Sequence, residues 1–119
     1  ANEGKLAEAL SWAHRWIEAH KLDPAAYYMR AVVLSEQDRV DEARRSFQQA
    51  VYLEPDFVLA HFALGTLARR VGRDDEADRH YANALRILAR LEPDHVVPES
   101  DGLTAARMTE TILAQARHA

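Results

Sequence analysis

The chain of 119 residues contains no cysteine. This excludes a disulfide framework and any thiolate metal site, and it fits a reducing, cytoplasmic setting. No apolar run approaches the roughly 18 residues that a membrane helix needs, so membrane insertion is not expected. No secretory leader is visible, and the chain opens on Ala1 rather than Met, which reads as a fragment of a longer protein. An excess of basic charge is also missing. The net charge is −4 with histidine neutral, which argues against a nucleic-acid partner, because phosphate binding needs a positive field. No stretch alternates apolar and polar residues convincingly, so strands are not expected.

Glycine and proline number only four each, and they fall as punctuation between stretches of helical spacing. Tyr27, Ala31 and Leu34 share one helical face, and so do Leu64, Leu67, Ala68 and Val71. Asp23-Pro24 supplies a cap and a first-turn proline. Pro55-Asp56 opens another helix. Gly72 takes the left-handed conformation that ends a helix, with Asp74 capping the next. The signals predict helices over 5–22, 24–37, 41–54, 57–71, 75–91 and 103–117.

One element returns. The chain reads "GKLAEA" at Gly4–Ala9, "DRVDEA" at Asp38–Ala43 and "GRDDEA" at Gly72–Ala77, each 34 residues after the last. At the same interval Ala31 aligns with Gly65, Ala43 with Ala77, Phe47 with Tyr81 and Ala50 with Ala84. Small residues recur where helices cross closely, and large aromatics recur where space between them is filled. This is the pattern of a stacked helix-turn-helix repeat.

The period and these residues resemble the tetratricopeptide repeat (TPR). The resemblance implies an all-α, right-handed stack of antiparallel helix pairs, about two and a half repeats long, with a C-terminal capping helix. The chain then forms a single domain over 1–119. It comprises a half repeat at 1–23, a repeat at 24–57, a repeat with an extended second helix at 58–93, and a linker and capping helix at 94–119. Three positions depart from the repeat pattern: Arg30 stands where leucine is usual, His61 where an aromatic is usual, and the closing proline waits until Pro93. A narrower resemblance lies in "AVYLEPDFVLAHFALGTLARRVGR" at Ala50–Arg73, "ALRILARL" at Ala84–Leu91 and "VPESDGLTAARM" at Val97–Met108. These words resemble the C-terminal repeat domain of CheR-type chemoreceptor glutamate methyltransferases. That likeness implies a regulatory or docking module whose partner is a chemoreceptor, its own methyltransferase domain or a signalling protein. The S-adenosylmethionine fold is not in these residues. The alternative is a scaffold domain of an unrelated assembly.

In a stacked repeat the first helix of each pair lines a groove. The candidate partner groove is Tyr28, Met29, Val32, Ser35 and Glu36 in one copy, and Leu59, Phe62, Thr66, Arg69 and Arg70 in the next. An apolar trough with Arg69 and Arg70 at its rim suits an amphipathic helix or an acidic peptide. Met29 and Ala63 occupy slots where carboxylate-clamping repeats carry asparagine, so that mode is set aside. The last helix, with Leu103, Met108, Ile112 and Leu113 and a cap at Asp101 or Thr104, reads as a cover for the final repeat; the alternative is a segment that competes for the groove. Trp12 and Trp16 await burial by an upstream helix or drive dimerisation through the exposed half repeat.

Chemistry is sparse. The histidines (His14, His20, His61, His80, His95 and His118) form no HExxH pair, and no metal or cofactor is expected. The acidic runs Asp41-Glu42 and Asp74-Asp75-Glu76 open helices, where carboxylates meet the positive end of the dipole. Their recurrence points to scaffold, so no catalytic residue is assigned.

Overall fold

The computed structural model describes residues 3–117, so His118 lies outside the described residues. Six α-helices follow one another: α1 (Glu3–Ala19), α2 (Pro24–Glu36), α3 (Val40–Leu53), α4 (Val58–Arg70), α5 (Asp74–Leu88) and α6 (Ala105–Arg117). Among the described residues there is no strand, only an isolated antiparallel bridge between Val96 and Thr104. The fold is therefore all-α, as the spacing predicts. Contacts group it into two compact units, residues up to Pro55 and residues from Asp56 onward.

In the first unit α2 packs against both α1 and α3. The Asp23 carboxylate accepts from the Ala25 amide at 3.0 Å, and Pro24 opens α2 as expected. At the far end Asp38 adopts φ 63° while the Arg39 amide donates to the Leu34 carbonyl at 2.9 Å, closing the turn into α3. The buried face joins Ala31, Val33 and Leu34 of α2 to Ala43, Phe47 and Ala50 of α3. α1 is far less committed: Ala13 is its one buried residue among those described, Trp16 is half-buried, and Trp12 is 60% exposed with the Arg15 guanidinium 4.6 Å above its ring.

In the second unit α5 packs against both α4 and α6. Gly72 takes φ 79° where Asp38 stands one repeat earlier. Asp74 does not cap α5. The cap is Arg73, whose side chain makes no capping bond, and Asp74 opens the first turn with Asp75 and Glu76. α5 ends at Leu88, three residues before the expected stop. Beyond it, the amides of Arg90 and Leu91 bond to the carbonyls of Ile87 and Leu88. This tightens the chain to three-residue turns ahead of Pro93.

The words at Pro98–Ala105 have a structural task. Glu99, Asp101 and Gly102 all take positive φ, which turns the chain back sharply. The Ser100 hydroxyl donates to the Val97 carbonyl and accepts from the Leu103 amide, while the Val97 amide donates to the Leu103 carbonyl at 2.8 Å. Thr104, rather than Asp101, caps α6, its hydroxyl accepting from the Arg107 amide at 3.2 Å. Val97, Ala105, Met108 and Ile112 are buried, so α6 does cover the second unit.

Two substitutions test this packing. Phe47 is only 2% exposed, and Phe47→Ala is expected to cost about 3–5 kcal/mol in denaturant unfolding. Gly65 faces a closer constraint, since a Cβ there would sit 2.6 Å from Tyr81 Cε1. Alanine favours helix by about 1 kcal/mol over glycine, but overpacking a filled core costs about 1–3 kcal/mol. Gly65→Ala should therefore lower stability in the same measurement, and an increase would contradict the packing.

Candidate functional site

Within the first unit, α2 carries five of the candidate groove residues. Met29 is 44% exposed, Glu36 is exposed, and Tyr28, Val32 and Ser35 are half-buried. Tyr28 leans on Phe47 with ring centroids 5.6 Å apart, so the core holds its ring. Met29 is the flexible apolar side chain of the set, the kind that adapts to varied partners.

Within the second unit the α4 set divides. Leu59 is buried, and Phe62 is half-buried with its ring 5.8 Å from that of Tyr81. Thr66 Oγ1 lies 3.3 Å from the Tyr81 hydroxyl. Arg69 is not a rim cation. Its guanidinium donates to Asp78 at 2.9 Å and to the Gln115 carbonyl at 3.2 Å, lies 3.7 Å from Asp74, and stacks over the Tyr81 ring at 5.4 Å. It ties α4 to α5 and α6. Arg70 is the exposed cation of that pair. The sequence placed the two arginines side by side on one rim because they are neighbours, but consecutive helical residues point about 100° apart.

The departure at Arg30 leads to a site that the repeat pattern does not signal. A cleft of about 690 Å³ opens between α1, α2 and α3. Its lining includes Leu10, Leu34 and Leu53, and also Lys21, Arg30, Arg39 and Arg45 with the single carboxylate of Glu42. Glu42 is already engaged, receiving two bonds from the Arg39 guanidinium at 3.0 and 2.6 Å. Those bonds hold the Glu42 carboxyl below its ordinary range. Arg30 instead donates to neutral acceptors, Ser46 Oγ at 3.0 Å and Gln49 Oε1 at 2.5 Å, and lies 5.3 Å above the Tyr27 ring. Burial pushes its pKa below the ordinary value, with Tyr27 opposing. The one sequence signal for this cleft was arginine in a leucine slot.

His61 is buried on α4, and His80 stands on α5 with Nε2 3.6 Å from Glu76 Oε2. Among the described residues no three histidine or carboxylate side chains converge as a metal set would. No helix among them is long and apolar enough to cross a membrane.

Residues 24–57 match the tetratricopeptide repeat family. The chain is similar to the TPR repeat-containing thioredoxin TTL4 of Arabidopsis thaliana, 35% identical over 78 residues, which is 66% of this chain and 11% of that protein. It is also similar to DnaJ homolog subfamily C member 3 of Gallus gallus, 35% identical over 83 residues, 70% of this chain and 16% of that protein. The chain thus spans well under a fifth of the length of these curated relatives. Among solved structures, MamA from Desulfovibrio magneticus RS-1 superposes with a TM-score of 0.71 at 20% identity, covering 74% of this chain and 50% of that one. The type III secretion translocator chaperone SycD of Yersinia enterocolitica gives 0.71 at 15% identity, covering 97% and 77%. At such identities the likeness is one of fold.

The histidines generate a pH prediction. His80 has its pKa lowered, chiefly by burial, with Glu76 opposing and His61 and Arg79 adding to the depression. An unfolded histidine takes up its proton near pH 6.5, whereas the folded His80 resists until lower pH. Stability is therefore fully present above about 6.5 and falls as the pH drops through the folded value. Thermal melts between about pH 7.5 and 5 should show this loss, and His80→Gln should flatten it relative to the parent chain.

Residues 24–57 thus match a tetratricopeptide repeat, and the chain as a whole has a TPR-like, all-helical fold.

Proposed function

We propose that the chain is a non-catalytic protein-interaction scaffold, and that its partners dock on the first-helix faces of the repeats. The observation that carries this reading is the α2 face, where Met29 stands exposed beside Tyr28, Val32 and Ser35 in the repeat matched by the family. Tyr28, Met29 and Val32 together offer apolar surface of the kind that a partner helix or extended peptide packs against. Phe62, Thr66 and Arg70 on α4 supply the corresponding face of the second unit. The match of residues 24–57 to the tetratricopeptide repeat and the similarity to a TPR repeat-containing thioredoxin support the general reading.

A photo-crosslinking residue at Met29, with others at Asp75 and Glu110 as controls, tests this in the cells that produce the protein. A defined protein adduct is expected at Met29, absent at the controls and lost when Val32→Glu is added. Equal labelling at all three positions would remove the α2 face as a docking surface.

A second reading, the regulatory module of a chemoreceptor glutamate methyltransferase, rests on the words at Val97–Met108. It predicts a methyltransferase domain in the same coding sequence, and receptor methylation whose rate or sites change when residues 1–119 are deleted. The turn and cap formed by Ser100 and Thr104 give those words a reason of their own, so the general scaffold is the better supported of the two.

A further inference from the structure

The cleft between α1, α2 and α3 lies apart from the α2 face of Met29, and the function proposed above makes no use of it. We propose that this cleft is a second recognition site, and that its ligand is a short acidic peptide segment carrying an apolar side chain.

Charge complementarity is the first support. Four cationic side chains line the cleft against one carboxylate, on a chain whose net charge is −4. Glu42 and Arg39 satisfy each other. Arg30 is held by a hydroxyl and an amide, which supply hydrogen bonds without a counter-charge. A guanidinium partly removed from water and fixed in place by neutral acceptors keeps a strong electrostatic demand for an anion. Ser46, 1% exposed, anchors the arrangement by donating its hydroxyl to the Tyr27 carbonyl at 2.8 Å.

Shape selects a peptide over a small anion. Glu42, Arg45, Gln49 and Tyr52 follow one another at helical spacing along α3, a stripe of about 15 Å. That length matches about four or five residues of extended chain. Tyr52, 86% exposed, offers an aromatic edge at one end of the stripe, and half-buried Leu10 and Leu53 in the lining give an apolar side chain surface to pack on.

The test uses the whole chain and an acetylated, fluorescein-labelled hexapeptide of alternating glutamate and leucine. Anisotropy at low salt reads the affinity, and amide chemical shifts map the contact. Saturable binding is expected, weakening at high salt, with shifts centred on Arg30, Arg45 and Gln49. Lys21→Glu combined with Arg45→Glu, both at exposed positions, should raise Kd about tenfold or more. Arg30→Leu, which installs the residue type usual in the repeat, should fold and lose binding. Arg70→Glu should leave binding unchanged. Failure of the parent chain to bind, or equal binding by the charge-reversed variant, overturns the assignment. Shifts confined to Met29 and Val32 also overturn it, while leaving the α2 docking face intact. Equal crosslinking at Met29 and the two control positions, with this peptide still bound, would instead remove the function proposed above and leave the cleft standing.

Discussion

The Tyr81 ring fills the space where a side chain at position 65 would stand. Only glycine allows α4 to approach α5 that closely, and only a large aromatic fills what remains. Around that contact the second unit organises itself. Phe62 lies against the same ring, Thr66 meets its hydroxyl, and Arg69 stacks over its face while reaching α5 and α6. The first unit repeats the theme with different sizes, Phe47 being buried on α3 and touched by Tyr28 of α2. Because these rings are held by the core, the residues beside them on α2 and α4 keep fixed directions, which a docking face requires.

The two conspicuous arginines solve opposite electrostatic problems. Arg69 is largely covered, and it sits between the carboxylates of Asp74 and Asp78. Its charge is spent within the fold, and removing it would leave acidic side chains unanswered. Arg30 is also half-buried, but its acceptors are neutral. The fold orients its charge without cancelling it. The same residue type is thus a strut in one unit and an open anion seat in the other, and the difference lies in what the facing helix presents.

The segment before α6 shows how a distinctive run of residues can be structural. Three positive-φ residues within the four from Glu99 to Gly102 are unfavourable for most side chains, and glycine occupies one of them. Ser100 serves two backbone groups of the turn, and Thr104 caps the helix that follows. The composition of the run is set by turn geometry and by the burial of Val97 and Ala105 on either side.

The sequence by itself determined the helices, the 34-residue period, the small and large residues that close each hairpin, and the cap at Asp23. These depend on local spacing and on residue size, which a linear pattern records. Helix ends were less legible. Asp74 looked like a cap because aspartate often caps, yet the left-handed turn at Gly72 set the register so that Arg73 took that place. Of the candidate groove, the exposure of Met29 and Arg70 was legible, because it follows from helical spacing. It was not legible at Leu59, which is buried, or at Arg69, whose partners on α5 and α6 lie 9 and 46 residues away. The cleft at Arg30 was visible only as a departure from pattern. Whether a lone arginine is neutralised, buried or offered to a ligand depends on groups brought beside it by other helices, and that was decided by the tertiary structure alone.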